Sequence, residues 1–192
     1  MPDSAHSVVV TERTITTPRL RLRPWDEADA GPALDVFGSE DVARWLAPAM
    51  TRVPDVDAMR ELIGRWSAES ADNGRPTGRW VIDDAADGRL IGAGSIQALP
   101  PEGDDLELAW QLNPTAWGHG YATEAGHALA HYAFGHGEDE VFAVVRPRNE
   151  RGVATARRVG MEWVGETDKY YDLSLQVFRL RKGDLDISPA AR

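Results

Sequence analysis

The chain has 192 residues, 42% hydrophobic and 27% charged, which fits one soluble globular domain and is marginal for two. Its 31 acidic and 21 basic side chains give a net charge of −10, which argues against nucleic-acid binding and against attraction to an anionic membrane surface. Cysteine is absent, which excludes disulfides, thiolate metal sites and a cysteine nucleophile, and a cytoplasmic location fits this composition. The acidity favours either a cationic substrate or solubility alone, and solubility is the more common cause.

The N-terminal third predicts a tail, one strand and two helices. Residues 1–13 carry no periodic pattern and are expected to form a flexible tail. Leu20 and Leu22 alternate with arginines, which is the period of a strand. Apolar residues at helical spacing then predict two helices, 26–37 and 54–70.

The middle of the chain predicts three strands. An Ala-Asp-Gly turn separates two apolar runs, which indicates a hairpin with strands at 80–82 and 90–99. The next strand is "LELAWQLN", residues 106–113, and the apolar side chains on one of its faces are Leu106, Leu108, Trp110 and Leu112. The opposite face carries Glu107, Ala109 and Gln111.

The C-terminal half alternates helices and strands. A helix is expected over 122–134, and "VFAVV" at 141–145 is typical of a buried central strand. Asn149 is a suitable cap for a short helix, two strands follow, and residues 183–192 are expected to form a flexible tail. The order of elements indicates an α+β fold around one mixed sheet, with a single domain over 14–182.

The stretch "NPTAWGHGYATEA", residues 113–125, places two glycines between a strand and the start of a helix. Successive backbone N–H groups in such a turn point toward one spot, and the helix dipole favours negative charge there. Glycine also allows a phosphate to approach closely and the backbone to adopt positive φ. Neither the P-loop pattern GxxxxGK nor the dinucleotide pattern GxGxxG is present. On the glycines alone, an anion-binding turn and a plain turn both remain open.

The segment "WGHGYATEA" resembles the pyrophosphate-binding loop of the GNAT acyltransferase superfamily, whose usual pattern is Gln/Arg-x-x-Gly-x-Gly/Ala. Trp117 occupies the Gln/Arg place, Gly120 the first Gly and Ala122 the final small residue. The Trp departs from the broad pattern and matches the ribosomal-protein-alanine N-acetyltransferase branch. The resemblance extends over roughly residues 15–182, from "TPRLRLRPWDEADA" through "GRLIGAGSI" to "RPRNERGVATARRVGM".

The resemblance implies a GNAT-type fold, which is a mixed, mostly antiparallel central sheet with helices on both faces. It also implies acetyl-CoA as the co-substrate and no metal. In the family, backbone amides of the loop bind the pyrophosphate of coenzyme A, and pantetheine lies beside the preceding strand like an added strand. The residues implied here are the backbones near Gln111 and Leu112, and the loop residues Trp117, Gly118, His119, Gly120, Tyr121 and Ala122.

A second segment matches the family less fully. Asn149 and Gly160 stand at the Asn and Gly of the family's Asn-x-x-Ser…Lys-x-Gly-Phe segment, which places Asn149 among the expected coenzyme A ligands. Gly152 stands where Ser is usual, Arg158 where Lys is usual and Met161 where Phe is usual. Because the Ser hydroxyl can contact the thioester sulfur in relatives, its absence leaves the general acid unidentified.

Five arginines crowd into a short segment of this acidic chain, namely Arg146, Arg148, Arg151, Arg157 and Arg158. Only Glu150 opposes them within the segment. A basic patch on an acidic protein suggests a site for a phosphorylated ligand, and a solvated helix face is the alternative. With the loop beside it, the patch favours the phosphates of coenzyme A, and we assign Arg151 to them.

Acyl transfer from a thioester to an amine requires a neutral amine, a stabilised oxyanion and a proton for the departing thiolate. Glu107 is the candidate base, because it lies opposite the apolar face of the strand that leads into the loop. An ordinary surface carboxylate is the alternative. Tyr170 and Tyr171, in the loop before the last strand, are candidate acids by chain position, and packing tyrosines are the alternative.

The sequence therefore predicts an acyl-CoA-dependent N-acyltransferase that moves an acetyl group directly to a primary amine, since no cysteine is available for an acyl-enzyme. The acceptor stays open between a protein N-terminus and a small-molecule amine. A non-catalytic acyl-CoA-binding module and a transferase for another donor, such as succinyl-CoA, are the alternatives. No nucleic acid or membrane partner is expected, and a homodimer is compatible with the sequence.

Four tryptophans could line an acceptor pocket, although a tryptophan is usually buried in the core. They are Trp25, Trp45, Trp66 and Trp80.

Overall fold

A computed structural model describes residues 7–46, 48–69, 75–100 and 103–185 of the chain. Its strands are β1 (Val9–Thr11), β2 (Thr14–Thr16), β3 (Leu20–Arg23), β4 (Gly78–Asp84), β5 (Leu90–Ala98), β6 (Leu106–Leu112), β7 (Glu140–Val145), β8 (Glu162–Thr167) and β9 (Leu175–Arg181). Its helices are α1 (Ala30–Phe37), α2 (Glu40–Leu46), α3 (Val56–Glu69), α4 (Tyr121–Gly135) and α5 (Glu150–Val159).

All of these strands belong to one sheet, in the order β1-β2-β3-β4-β5-β6-β7-β9-β8. Every neighbouring pair is antiparallel except β6 and β7, which are parallel. The parallel pair arises because α4 carries the chain from the end of β6 back to the start of β7. The predicted mixed, mostly antiparallel sheet is confirmed.

The helices cover both faces of the sheet. On one face, α4 and α5 pack against inward side chains of the central strands, including Trp80, Ile82 and Leu108. On the other face, α1, α2 and α3 bury a second core that includes Val81 and Ala93. Consecutive residues of β4 thus serve opposite cores, as strand alternation requires. The prediction of helices on both faces is confirmed.

The two predicted N-terminal helices form with small changes at their starts. Asp26 caps as expected, but it caps a short 3-10 turn that leads into α1. The second helix, α3, begins at Val56 rather than Pro54, because the Asp55 carboxylate accepts the N–H of Ala58 at 2.9 Å and so caps the helix. Its predicted last residue lies outside the described residues.

Three short elements lie where the sequence predicted none. β1 falls within the predicted tail and pairs with β2 across a turn in which Glu12 has a φ of 53°. Each of these strands has three residues and α2 has seven, which is too short for a periodic pattern to emerge. The outer parts of the predicted tails, 1–6 and 186–192, lie outside the described residues.

Candidate active site

The central feature of the site is a separation between two neighbouring strands. β6 and β7 are joined by one bridged pair, Glu107 with Phe142. Beyond that pair β6 continues to Leu112 alongside β5, while β7 continues to Val145 alongside β9. The two strands therefore diverge from Glu107 onward, which leaves backbone groups of β6 facing an opening in the sheet.

The hydrogen bonds of β6 show which of its backbone groups face that opening. The Asn113 N–H donates to the Ile91 carbonyl at 2.8 Å, in register with the β5–β6 ladder. Hydrogen-bonding direction alternates along an antiparallel strand, so the backbone of Gln111 points toward β5, whereas those of Trp110 and Leu112 point toward the opening. This corrects the expectation for Gln111. Trp110 takes its place beside Leu112 at the opening.

The glycine turn after β6 ends in an uncapped helix N-terminus. Gly118 and Gly120 have φ of 82° and 79°, a left-handed conformation that glycine adopts without strain. Gly120 is the N-cap of α4 and has no side chain with which to satisfy the first-turn N–H groups. The turn at Gly118 is also open, since a Cβ there would meet no atom within 4 Å. The geometry is that of an anion-binding turn.

A cation that the sequence did not reveal lies against this turn. The Arg19 guanidinium donates to the His119 carbonyl at 2.9 Å and lies 5.0 Å from the centre of the Tyr121 ring. Glu124, in the first turn of α4, holds Arg19 through an Nη2–Oε2 contact of 2.6 Å and also accepts the Thr17 hydroxyl at 2.6 Å. No local pattern signals this cluster, because about a hundred residues separate its two halves.

The loop residues Trp117 and Tyr121 make contacts within the protein. The Trp117 indole N–H donates to the Leu112 carbonyl at 2.9 Å, which uses one lone pair of a carbonyl that faces the opening. The Arg151 guanidinium lies 4.4 Å from the centre of the Trp117 ring, so the assigned arginine does reach the loop. The Tyr121 hydroxyl donates to Asp84 at 2.9 Å. His119 is exposed.

Asn149 has a structural role, and the space beside it explains the missing serine. Its Oδ1 accepts the N–H of Gly152 at 3.0 Å and so caps α5, as the sequence predicted. A Cβ on Gly152 would approach a Val145 methyl and the Asn149 amide nitrogen to 2.8 Å each. A side chain at this position would therefore require Asn149 or Val145 to shift, which favours glycine over the usual serine.

Glu107 occupies the point where β6 and β7 separate. Its Oε2 accepts the Tyr171 hydroxyl at 2.7 Å, and its carboxylate accepts the N–H of Val144 on β7. Part of the side chain stays accessible, but its surroundings are mostly protein. Burial raises the pKa of Glu107 to about 7, and the two hydrogen bonds and the positive charge of Arg79 offset only part of that rise. A carboxylate that titrates near neutral pH is suited to general-base catalysis.

The two candidate tyrosines have different surroundings. Tyr170 is 8% exposed and packs with Leu99 and Leu175 in a small apolar cluster. Tyr171 contacts Glu107, and burial followed by the charge of Glu107 raises its pKa, so the hydroxyl stays protonated at neutral pH. Its backbone is left-handed, with φ of 57°, which is strained for a bulky residue. Of the pair, only Tyr171 lies at the candidate base.

One arginine of the cluster is partly buried, and the other four are exposed at the surface. Arg146 is partly buried, and its Nη1 donates to the Arg44 carbonyl at 3.5 Å. The exposed members are Arg148, Arg151, Arg157 and Arg158.

Within the described ranges, no group of three or more His, Asp or Glu side chains is arranged to hold a metal ion. None of the helices in the described part of the chain is long and apolar enough to cross a membrane.

Comparison with known proteins identifies the family. The sequence profile of the acetyltransferase (GNAT) domain matches residues 19–162. The chain belongs to the GNAT acetyltransferase family. This GNAT protein is 24% identical over 158 residues to N-acetyltransferase YoaA of Bacillus subtilis strain 168, which covers 81% of this chain and 86% of that protein. It is an N-acetyltransferase, as the sequence predicted.

Solved structures share the fold of this GNAT acetyltransferase. A protein of Vibrio cholerae provisionally assigned as a ribosomal-protein-serine acetyltransferase superimposes with a TM-score of 0.73 at 19% identity, over 90% of this chain and 99% of that one. AAC(6')-Ib in complex with ribostamycin and coenzyme A superimposes with a TM-score of 0.70 at 15% identity, over 90% and 99% of the two chains. At these identities the likeness establishes the fold alone.

Proposed function

We propose that this GNAT acetyltransferase transfers the acetyl group of acetyl-CoA directly to a primary amine, with Glu107 as the general base. The observation that carries the proposal is the position of Glu107 at the point where β6 and β7 separate, on the strand whose far end leads into the glycine turn. Family membership supports acetyl-CoA as the donor.

Coenzyme A would lie along the opening between β6 and β7. Its pyrophosphate would be bound by the backbone amides of residues 118–122 at the start of α4, with the Arg19 guanidinium beside them. Pantetheine would hydrogen-bond the backbones of Trp110 and Leu112. Glu107 precedes Leu112 by five residues, which on a strand rise of ~3.4 Å per residue separates the base from the Leu112 backbone by about 17 Å. An extended pantetheine arm would span that distance and bring the acetyl group to Glu107.

The transfer needs one proton to pass from the amine to the thiolate. The amine nitrogen attacks the thioester carbon, forms the C–N bond and loses a proton to Glu107. The C–S bond then breaks, and the thiolate takes the Tyr171 hydroxyl proton while the proton held by Glu107 passes to the Tyr171 oxygen across their 2.7 Å hydrogen bond. Both side chains end as they began, and the products are the amide and free coenzyme A.

A turnover assay tests the proposal. The purified protein is incubated with acetyl-CoA and a panel of amines, including peptides with free N-termini, amino acids, polyamines and aminoglycosides. Free thiol is followed with a thiol reagent and the product by mass spectrometry. We expect thiol release that depends on the amine, with one acetyl group added per thiol and none left on the protein. Acetylated protein as an intermediate would contradict direct transfer.

The same assay separates the alternatives. A non-catalytic acyl-CoA-binding module would bind coenzyme A in calorimetric titration but release no thiol with any amine. A transferase for another donor would turn over when succinyl-CoA or longer acyl-CoA replaces acetyl-CoA and would fail with acetyl-CoA. Either result would overturn acetyl transfer while leaving the binding of coenzyme A intact.

A further inference from the structure

Arg79 lies on the same face of the sheet as the candidate base. In β4, Trp80 and Ile82 point into the core beneath α4, so Arg79 points to the opposite face, where α3 packs. In β6, Leu106 and Leu108 also point beneath α4, so Glu107 shares the face of Arg79. No sequence pattern connects these two residues, which lie on strands separated by β5.

The Arg79 guanidinium is held in place but only weakly neutralised. It lies over the Trp66 ring of α3, 5.2 Å from the ring centre. Its ion pair with Glu69 is long, at 3.8 Å, and the Glu69 side chain is 61% exposed, so solvent screens the pair. The Arg79 side chain is itself 29% exposed and accessible to a ligand. Strand register places Arg79 opposite Ser95 of β5, and Ser95 opposite Ala109 of β6, two residues from Glu107 on the same face. Burial lowers the pKa of Arg79, and the charges of Glu69, Tyr171 and Glu107 act in the opposite direction.

A fixed cation beside the base restricts which amines fit. A polyamine or an aminoglycoside would bring further positive charge toward Arg79 and be repelled. An amine with a carboxylate a few bonds away would place its nitrogen at Glu107 and its carboxylate at the guanidinium, whose planar fork suits a carboxylate. Resting on the proposed transferase function, we propose that the acceptor is a primary amine that carries a neighbouring carboxylate, bound by Arg79.

Two sources supply that chemistry, a free α-amino acid and a peptide N-terminus followed by an acidic side chain. They are distinguished by two matched acceptor pairs, phenylalanine against phenethylamine and Ala-Glu-amide against Ala-Gln-amide. Each kcat/KM is corrected for the fraction of neutral amine, because the carboxylate also changes the amine pKa. We expect the carboxylated member of at least one pair to be preferred by about 10-fold or more, and the preferred pair identifies the source.

Variants of Arg79 test whether that residue causes the preference. Arg79→Gln should reduce the ratio within the preferred pair to about one, Arg79→Lys should keep part of it, and Arg79→Glu should reverse it. Arg60→Gln is the matched control, since Arg60 is exposed on α3 and paired with Asp57. Coenzyme A affinity, measured by calorimetry, should be unchanged in all of them, which shows that each variant is folded.

Each outcome has a definite meaning. If Arg79 only altered the pKa of Glu107, its variants would slow both acceptors of a pair equally. The ratio of their kcat/KM values would then stay unchanged, which overturns the inference. A wild-type ratio near or below one in both pairs, or turnover of polyamines alone, also overturns it while the proposed acetyltransferase stands. If no amine in any arm is acetylated although coenzyme A binds, the proposed function itself fails, and the inference fails with it.

Discussion

The Tyr171 hydroxyl donates a 2.7 Å hydrogen bond to Glu107 Oε2 across 64 residues of chain. The bond joins the loop before β9 to the strand that leads into the glycine turn. It couples two titratable groups, so a change at one alters the protonation of the other. The chemistry proposed for this GNAT acetyltransferase depends on that coupling, and variants of either residue can test it.

Glu107 should lower the stability of the folded protein at high pH. Its folded pKa of about 7 lies above the ordinary value of 4.5, so its favourable contribution is present below about 4.5 and is lost as the pH rises through about 7. The difference corresponds to on the order of 3 kcal/mol at most. Glu107→Gln, which stays neutral, should therefore gain stability relative to wild type at pH 8 but not at pH 4.5. Urea denaturation at the two pH values measures this. An equal change at both would show that Glu107 is ordinarily solvated.

Tyr171→Phe should shift the pH dependence of activity as well as the rate. The hydroxyl hydrogen bond lowers the pKa of Glu107, so its loss should raise that pKa above about 7. At neutral pH we expect kcat to fall about tenfold or more, and the pH profile to move upward. Tyr170→Phe is the control from the same loop, since Tyr170 packs in an apolar cluster. If the pH dependence of kcat were unchanged in Tyr171→Phe, Tyr171 would have no role in the proton transfer.

Gly120→Val should weaken coenzyme A binding by about tenfold or more. The added side chain would force a β-branched residue into a φ of 79° and bring a Cβ to 3.4 Å from an Arg19 nitrogen, at the spot where the pyrophosphate is expected. Gly88→Val is the matched control, because Gly88 has a φ of 72° and open space, in the turn between β4 and β5. Calorimetry should show weaker binding only for Gly120→Val. Equal affinities in the two variants would argue against a pyrophosphate at this turn.

Arg19→Gln should weaken coenzyme A binding about tenfold, because it removes the cation beside the turn and the hydrogen bond to the His119 carbonyl. The loss should shrink at high salt, as expected for a half-exposed charge. Arg21→Gln is the control, since Arg21 is an exposed arginine on the adjoining strand β3. Calorimetric titration at low and high salt measures both. If Arg19→Gln and Arg21→Gln bind coenzyme A with equal affinity, Arg19 stabilises the loop but does not contact the ligand.

The elements with long periodic patterns were predictable, and the contacts between distant strands were not. The apolar alternation of β6 correctly placed Glu107 opposite the apolar side chains, and Asn149 was correctly predicted as a cap, since both depend on local chemistry. The direction of the Gln111 backbone was missed, because it depends on ladder register with β5. Arg19 and Arg79 were missed for the same reason: each reaches the site only when the sheet is assembled.

The central claim is that Glu107 removes the amine proton. The most direct measurement is the kcat of Glu107→Gln against wild type, with the acceptor found by the turnover assay, across about pH 6 to 9 at saturating acetyl-CoA. Glutamine keeps the size and can still accept the Tyr171 hydroxyl but cannot take a proton. We expect a loss of about 100-fold or more near neutral pH, little change in acetyl-CoA affinity, and a smaller loss at high pH, where solvent supplies neutral amine. Turnover of Glu107→Gln at the wild-type rate near neutral pH would contradict the claim and leave Glu107 as a structural carboxylate.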